Sequence, residues 1–299
     1  MTSIVKKRKF RSDKLFGYIN GVLILLICVI TLYPFVYILA NSFNEGRDAM
    51  INKVYIFPKK FTLENFEAVL QTSGILNGFI VSILRTAIVT PITVLFTAAV
   101  AYALSKKELL FRKFYMKAGL VTMVVSGGLI PSFLVNKSLG LYDNPLVYLF
   151  PTMFSFYNAI IFMNFFQSLP EELEEAARMD GASDLKIFCK VVLPLSTPVI
   201  ATIGLFVGVY NWNDFFYGFI YISKDYLQPI QTFLYKVVTE VGADDMVTRF
   251  LPSGMVVKTV TMDSVRYATM IVTTLPIICV YPFLQKYFVK GMMIGAVKG

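Results

Sequence analysis

Long, unbroken apolar blocks constrain this chain more than any other feature. They run roughly over 17–40, 76–104, 114–135, 144–166, 197–222 and 266–289. Each can cross about 30 Å of hydrocarbon as a helix rising about 1.5 Å per residue. A soluble domain is near half apolar and a quarter charged. This chain of 299 residues is 56% hydrophobic and 16% charged, with a mean hydropathy of +0.65. The apolar residues form blocks rather than stripes of period 2 or 3.6, which favours spans over a buried soluble core. The expected fold is an all-α integral membrane protein with six transmembrane helices.

Basic residues orient those helices. Lys6, Lys7, Arg8, Lys9, Arg11 and Lys14 precede the first block, and Lys106, Lys107, Arg112, Lys113 and Lys117 follow the second. Lys and Arg beside a span resist translocation, so the sequence predicts both termini inside. The expected organisation is a cytoplasmic tail at 1–16, a six-helix membrane domain at 17–289 and a cytoplasmic tail at 290–299. The first block is too long for a signal-peptide core and lacks a cleavage pattern after it, so it reads as a retained span. Two long outside segments, 41–75 and 223–266, hold turn residues: Pro58 in the first, and Pro229, a Gly-Ala-Asp-Asp string at 242–245 and Pro-Ser-Gly at 252–254 in the second. Loops of that length suit an external partner or short helices lying at the interface. No internal repeat or inverted pair of halves is visible, which weighs against a self-contained secondary transporter.

Several chemistries are excluded by residue type. The chain has no histidine, which removes histidine-ligated metals, histidine bases and haem ligation. Cys28, Cys189 and Cys279 are far apart and read as small hydrophobes. The net charge of +9 gathers at the ends of apolar blocks, so it reads as loop charge and not as a nucleic-acid surface. No phosphate loop occurs and no Gly-Lys pair exists, so ATP has no P-loop site here. No metal, cofactor or catalytic group is expected.

One inside segment, 167–196, is polar. Ser168, Pro170 and Glu171 look like a helix start, with the serine as cap and the glutamate reaching back to it. The string Glu171-Glu-Leu-Glu-Glu-Ala-Ala-Arg-Met-Asp-Gly181 places acids in the first turn and a glycine stop at its end. A second short helix is expected from Ser183-Asp184, ending near Pro194. Small Ala176 and Ala177 permit close approach of another protein, though Glu-Glu-Ala-Ala strings also occur on ordinary solvated helices.

The longer pattern resembles a known motif. Glu175-Ala176-Ala177, then Gly181, then Val191-x-Leu193-Pro194 is similar to the EAA motif of binding-protein-dependent ABC importer permeases, with Val191 where the family has isoleucine. Ser126-Gly-Gly-Leu-Ile-Pro131, Lys137-Ser-Leu-Gly-Leu141, Asn164-Phe-Phe-Gln-Ser-Leu-Pro170 and Asn211-Trp-Asn-Asp214 resemble the carbohydrate branch, MalG-type subunit, complex-oligosaccharide subgroup. The resemblance implies a bacterial cell-membrane permease, forming half of a sugar pathway. Its partners would be a homologous MalF-type permease, two copies of an ATPase and an extracytoplasmic solute-binding protein. It implies that the polar segment is the coupling helix between spans 4 and 5. The ATPase contact would then involve Glu174, Glu175, Ala176, Ala177, Asp180, Gly181, Leu193 and Pro194.

Charges inside spans are costly and usually face a cavity or a partner. Arg85 in the second block and Asn211, Trp212, Asn213 and Asp214 in the fifth are therefore candidates for the substrate path, since a ring beside amides and a carboxylate suits a sugar. The competing expectation is that Asn213 and Asp214 satisfy neighbouring backbone at a helix break, or pair with Arg85. Gly127, Gly128 and Pro131 permit close packing or a kink in the third block. The alternatives for the whole chain are an importer of a non-sugar solute, an ion-coupled carrier and, least favoured, an intramembrane enzyme.

Overall fold

The computed structural model describes residues 2–239 and 259–296. The external strings at 242–245 and 252–254 lie outside them. Regular structure among the described residues is helical, beside an isolated antiparallel bridge between Asn44 and Phe61. In chain order the helices are α1 (Thr2–Ser42), α2 (Gly46–Ile51), α3 (Glu64–Gln71), α4 (Ser73–Ser105), α5 (Arg112–Val124), α6 (Leu129–Ser138), α7 (Phe156–Phe166) and α8 (Glu171–Met179). They continue with α9 (Asp184–Ile187), α10 (Leu193–Leu195), α11 (Thr197–Asn213), α12 (Phe216–Tyr221), α13 (Ile230–Thr239) and α14 (Met262–Ala296).

Three of the expected spans are single helices: Phe16–Ser42 within α1, Gly74–Ser105 within α4 and Met262–Val280 within α14 are each long and apolar enough to cross. Three others are bent. The third expected span is not one helix: α5 and α6 meet at 117°. The cause is local. Val125 leaves helical geometry with ψ 114, and Gly128 sits at φ +81, ψ 175, a region open essentially to glycine alone. Pro131 then lies in the first turn of α6, where its missing N–H costs nothing. The fourth span opens with 3-10 turns over Pro145–Thr152 and bends by 52° into α7. The segment from Asp184 to Leu195 meets α11 at 83°, so the helix leading into the fifth span turns sharply at Ser196. The fifth span also ends early, since helical pairing lapses at Asp214 and resumes in α12.

The chain divides into two compact units. One holds residues up to Thr72 and the start of α14 to Val272. Within it Asn44 ties the turn after α1: its Oδ1 accepts from the Lys59 and Lys60 amides at 2.7 and 2.9 Å. Phe43 stacks on Phe61 at 5.5 Å. Thr261 and Ser264 cap α14 reciprocally, the Thr261 amide donating to Ser264 Oγ at 3.0 Å and the Ser264 amide to Thr261 Oγ1 at 3.4 Å. Gly46 has no room for a side chain, since a Cβ there would meet the Thr261 nitrogen at 2.6 Å.

The other unit runs from Ser73 through α13, with the remainder of α14. Its axis is α4, against which α7 and α11 pack. Fully buried Ala98 and Ala101 on α4 allow the close backbone approach that drives helix association in lipid. Around them lie Phe162 and Phe166 of α7, Ile187 of α9 and Ile203 of α11, together with Phe188 and Val192.

Candidate coupling site

The polar segment folds as helix, glycine turn, helix. Its start differs from the expectation. Ser168 does not cap α8; its hydroxyl donates to the Phe165 carbonyl at 2.6 Å, closing the end of α7 instead. Pro170 is the residue before α8, and α8 has no side-chain cap. Glu171, Glu172 and Glu174 in the first turn and Arg178 in the last complement the helix dipole. The end is as expected. Gly181 takes φ +76, the Gly181 amide donates to the Arg178 carbonyl at 2.9 Å, and the Ala182 amide to the Ala177 carbonyl at 3.0 Å. This pair of bonds is a Schellman closure. Ser183 then caps α9, its Oγ accepting from the Lys186 amide at 3.4 Å.

Beyond α9 the helix widens into a π turn over Phe188–Val192 before α10. Pro194 lies within α10, and the widened turn absorbs the amide it lacks. The helix ends at Ser196, whose amide donates to Val192 at 3.0 Å. That is the stop near Pro194 that the sequence leads one to expect.

The elbow has an inner and an outer side. Glu175, Ala176, Asp180, Gly181 and Pro194 are exposed, as are the apolar side chains of Met179 (88%) and Leu185 (73%). Ala177 and Leu193 are half-buried against the core. Glu174 points inward. Its Oε2 accepts from Tyr102 Oη at 3.0 Å and pairs with Lys106 Nζ. Lys106 in turn lies over the Tyr102 ring at 4.5 Å. The Tyr102 ring meets Phe188 at 5.1 Å and Phe166 at 6.1 Å. Sequence reading treats Lys106 only as loop charge and Tyr102 as span filler. The one available signal is their i, i+4 spacing at the end of α4.

The intramembrane candidates separate into two groups. Arg85 and Asp214 pair at 2.6 Å, with side chains 1% and 6% exposed. Arg85 also donates through Nη1 to the Asp214 carbonyl at 3.2 Å and lies 4.4 Å from the Tyr148 ring centroid. Asp214 Oδ1 accepts from the Phe216 amide at 3.2 Å, capping the break before α12. So this ion pair holds a helix break. Asn211 is buried and donates to Thr90 Oγ1 at 3.4 Å, while its Oδ1 and Trp212 Nε1 are buried without a partner. Asn213 is exposed, as are Tyr210 and Phe216, and its Nδ2 donates to the Val209 carbonyl at 3.0 Å. Tyr210 and Phe216 lack the charge or amide that marks a candidate in sequence; helical spacing from Asn213 points to Tyr210, and Phe216, beyond the break, carries no such signal.

The chain as a whole is similar to known proteins. Residues 66–294 match the family described as the binding-protein-dependent transport system inner membrane component. This chain belongs to that family. Protein LplC of Bacillus subtilis (strain 168) is 38% identical over the full length of both chains. The polygalacturonan/rhamnogalacturonan transport system permease protein YtcP of the same organism is 37% identical, over 96% of this chain and 99% of its own. A solved chain from a bacterial ABC transporter involved in the import of the acidic polysaccharide alginate aligns with a TM-score of 0.85 at 31% identity, covering 93% of this chain and 98% of that one. Family membership and the apolar helices together make this a multi-pass inner-membrane protein. It is a transport permease subunit, not an enzyme.

Proposed function

We propose that the chain forms half of the translocation pathway of an ATP-driven importer for an oligosaccharide. It pairs with a homologous MalF-type permease, two copies of an ATPase and an extracytoplasmic solute-binding protein. Both termini and the α8–α9 elbow lie on the cytoplasmic face. The observation that carries this reading is the outer side of the elbow: Glu175, Ala176, Asp180 and Gly181 stand exposed with Met179 and Leu185. A short helix closed by a Schellman turn offers a rigid knob, and its apolar tips supply the contact area that a docking partner buries. Leu193 and Pro194 brace the base of that knob. With no P-loop in the chain, ATP is bound by the partner seated there.

The oligosaccharide assignment draws support from the relatives' named substrates and from the aromatic and amide side chains around the α11–α12 break. Asn213, Tyr210 and Phe216 face the path, with half-buried Trp212 behind them. Asn211, Arg85 and Asp214 shape that wall from within. The test is uptake by proteoliposomes holding the complete complex, with ATP enclosed and binding protein outside, against uronate-containing and neutral oligosaccharides. ATP-dependent accumulation of an oligosaccharide is expected. Uptake that ignores ATP and collapses with a protonophore would refute the reading.

A further inference from the structure

We infer that Glu174, Lys106 and Tyr102 form the mechanical joint that makes α8 and α4 move as one body, so that Glu174 transmits force and does not dock the ATPase. The inference rests on the proposed role of the elbow and goes beyond it. Four observations converge on it. Glu174 turns away from the outer side, and its side chain is 17% exposed against 27% for Lys106. Tyr102 Oη donates to the same carboxylate oxygen that pairs with Lys106, so one atom receives two bonds, from the last turn of α4 and from the residue just past its end. The cation lies over the ring of the same tyrosine, which closes a three-membered cluster. That ring also touches Phe166 at the end of α7 and Phe188 just past α9. The joint therefore gathers both ends of the elbow onto α4.

A second bridge of the same sense, Lys107 to Glu171 at 3.7 Å, is open to water, with both side chains more than 80% exposed. Screening leaves such a pair little strength, so it serves as an internal control. Near its middle α4 carries Arg85, 17 residues or about 25 Å of helix from Tyr102, and Arg85 clasps Asp214 at the α11–α12 break. One helix thus joins the elbow to the wall of the pathway. Displacing α8 moves α4 through the joint, and α4 moves the break through the clasp.

The test is the ratio of substrate imported to ATP hydrolysed, measured on the reconstituted complex. Glu174→Gln and Lys106→Met are expected to keep the ATPase bound and hydrolysing within about twofold of wild type, while the ratio falls about tenfold. The exchanged pair Glu174→Lys with Lys106→Glu is expected to recover at least a third of the ratio, and Lys107→Met to leave it unchanged. An unchanged ratio in both single variants would overturn the joint. So would loss of the ATPase from Glu174→Gln, because Glu174 would then be a docking residue. If a single variant fails to assemble, the exchanged pair decides: failure of that pair too would overturn it. A wild-type complex that never retains an ATPase refutes the underlying importer reading instead, so the two failures are distinct.

Discussion

Gly181 sits at φ +76 with open space around the position a Cβ would take, so its requirement is conformational and not steric. A residue with a side chain in that region costs about 1–2 kcal/mol. Gly181→Val should lower the melting temperature of the purified chain modestly and weaken ATPase retention more strongly, because the elbow can no longer close; equal ATPase retention would contradict this. The Arg85–Asp214 pair behaves differently. Removing one partner of a buried pair leaves a bare charge and costs about 3–5 kcal/mol, whereas an apolar pair of similar volume is tolerated. Asp214→Asn should therefore reduce folded yield sharply, and Arg85→Met with Asp214→Leu should restore it, as read by monodisperse protein after size exclusion. Asp143 supplies a pH statement. The Ser223 hydroxyl and amide, each 2.6 Å from its carboxylate, hold its pKa below the ordinary value of 3.8. A depressed folded pKa means that the clip is intact above the ordinary value and is lost as pH falls through the lower one. The protection factor of the Ser223 amide, its exchange rate divided into the intrinsic base-catalysed rate at each pH, should be constant from neutral pH down to about 5, and a protection factor that falls within that range would contradict the lowered pKa. At this scale the sequence shows that Arg85 and Asp214 need a cavity or a partner, because charge in a span is costly whatever the fold; it leaves open which of the two they have. It does not show Glu174 turning inward, since Glu174 and Glu175 are chemically identical and only the phase of α8 on the core separates them.

Helices α5 and α7 meet where Phe156 lies over Gly119; a Cβ on Gly119 would come within 2.1 Å of that ring. Gly119→Leu overpacks the contact and should destabilise by about 1–3 kcal/mol, with partial rescue by Phe156→Ala. Thermal melting in detergent checks both, and absence of rescue would show that the ring is not the obstacle. The elements themselves are legible as blocks, because most residues of a span face lipid or apolar protein and are apolar. Their bends are only partly so. Gly127-Gly128 and Pro131 signal a kink, yet the 117° angle between α5 and α6 follows from the particular backbone conformations at Val125 and Gly128. The π turn before Pro194 has no pattern of its own, since it is a response to the missing amide. Ser168 and Ser183 show the same ambiguity in caps: both precede acidic residues, but the Phe165 carbonyl claims the first hydroxyl.

On the scale of the whole molecule, the family and the transport role are readable because the motif at 175–194 is long and its residues have separate physical duties. Glu175 and Ala176 supply an open face, Gly181 the turn and Pro194 the widened helix end. The surfaces between subunits are not readable in that way, since lipid and a neighbouring helix ask for the same apolar side chains. α1 illustrates this: Leu25, Ile30 and Phe35 are all more than half exposed. The central claim is that the outer side of the α8–α9 elbow is where an ATPase docks. Affinity purification of the complex through a tag on this chain tests it directly. The account predicts that wild type and Lys107→Met retain the ATPase, and that Glu175→Lys loses it while the companion permease stays bound. Retention of the ATPase by Glu175→Lys at wild-type stoichiometry would contradict the account.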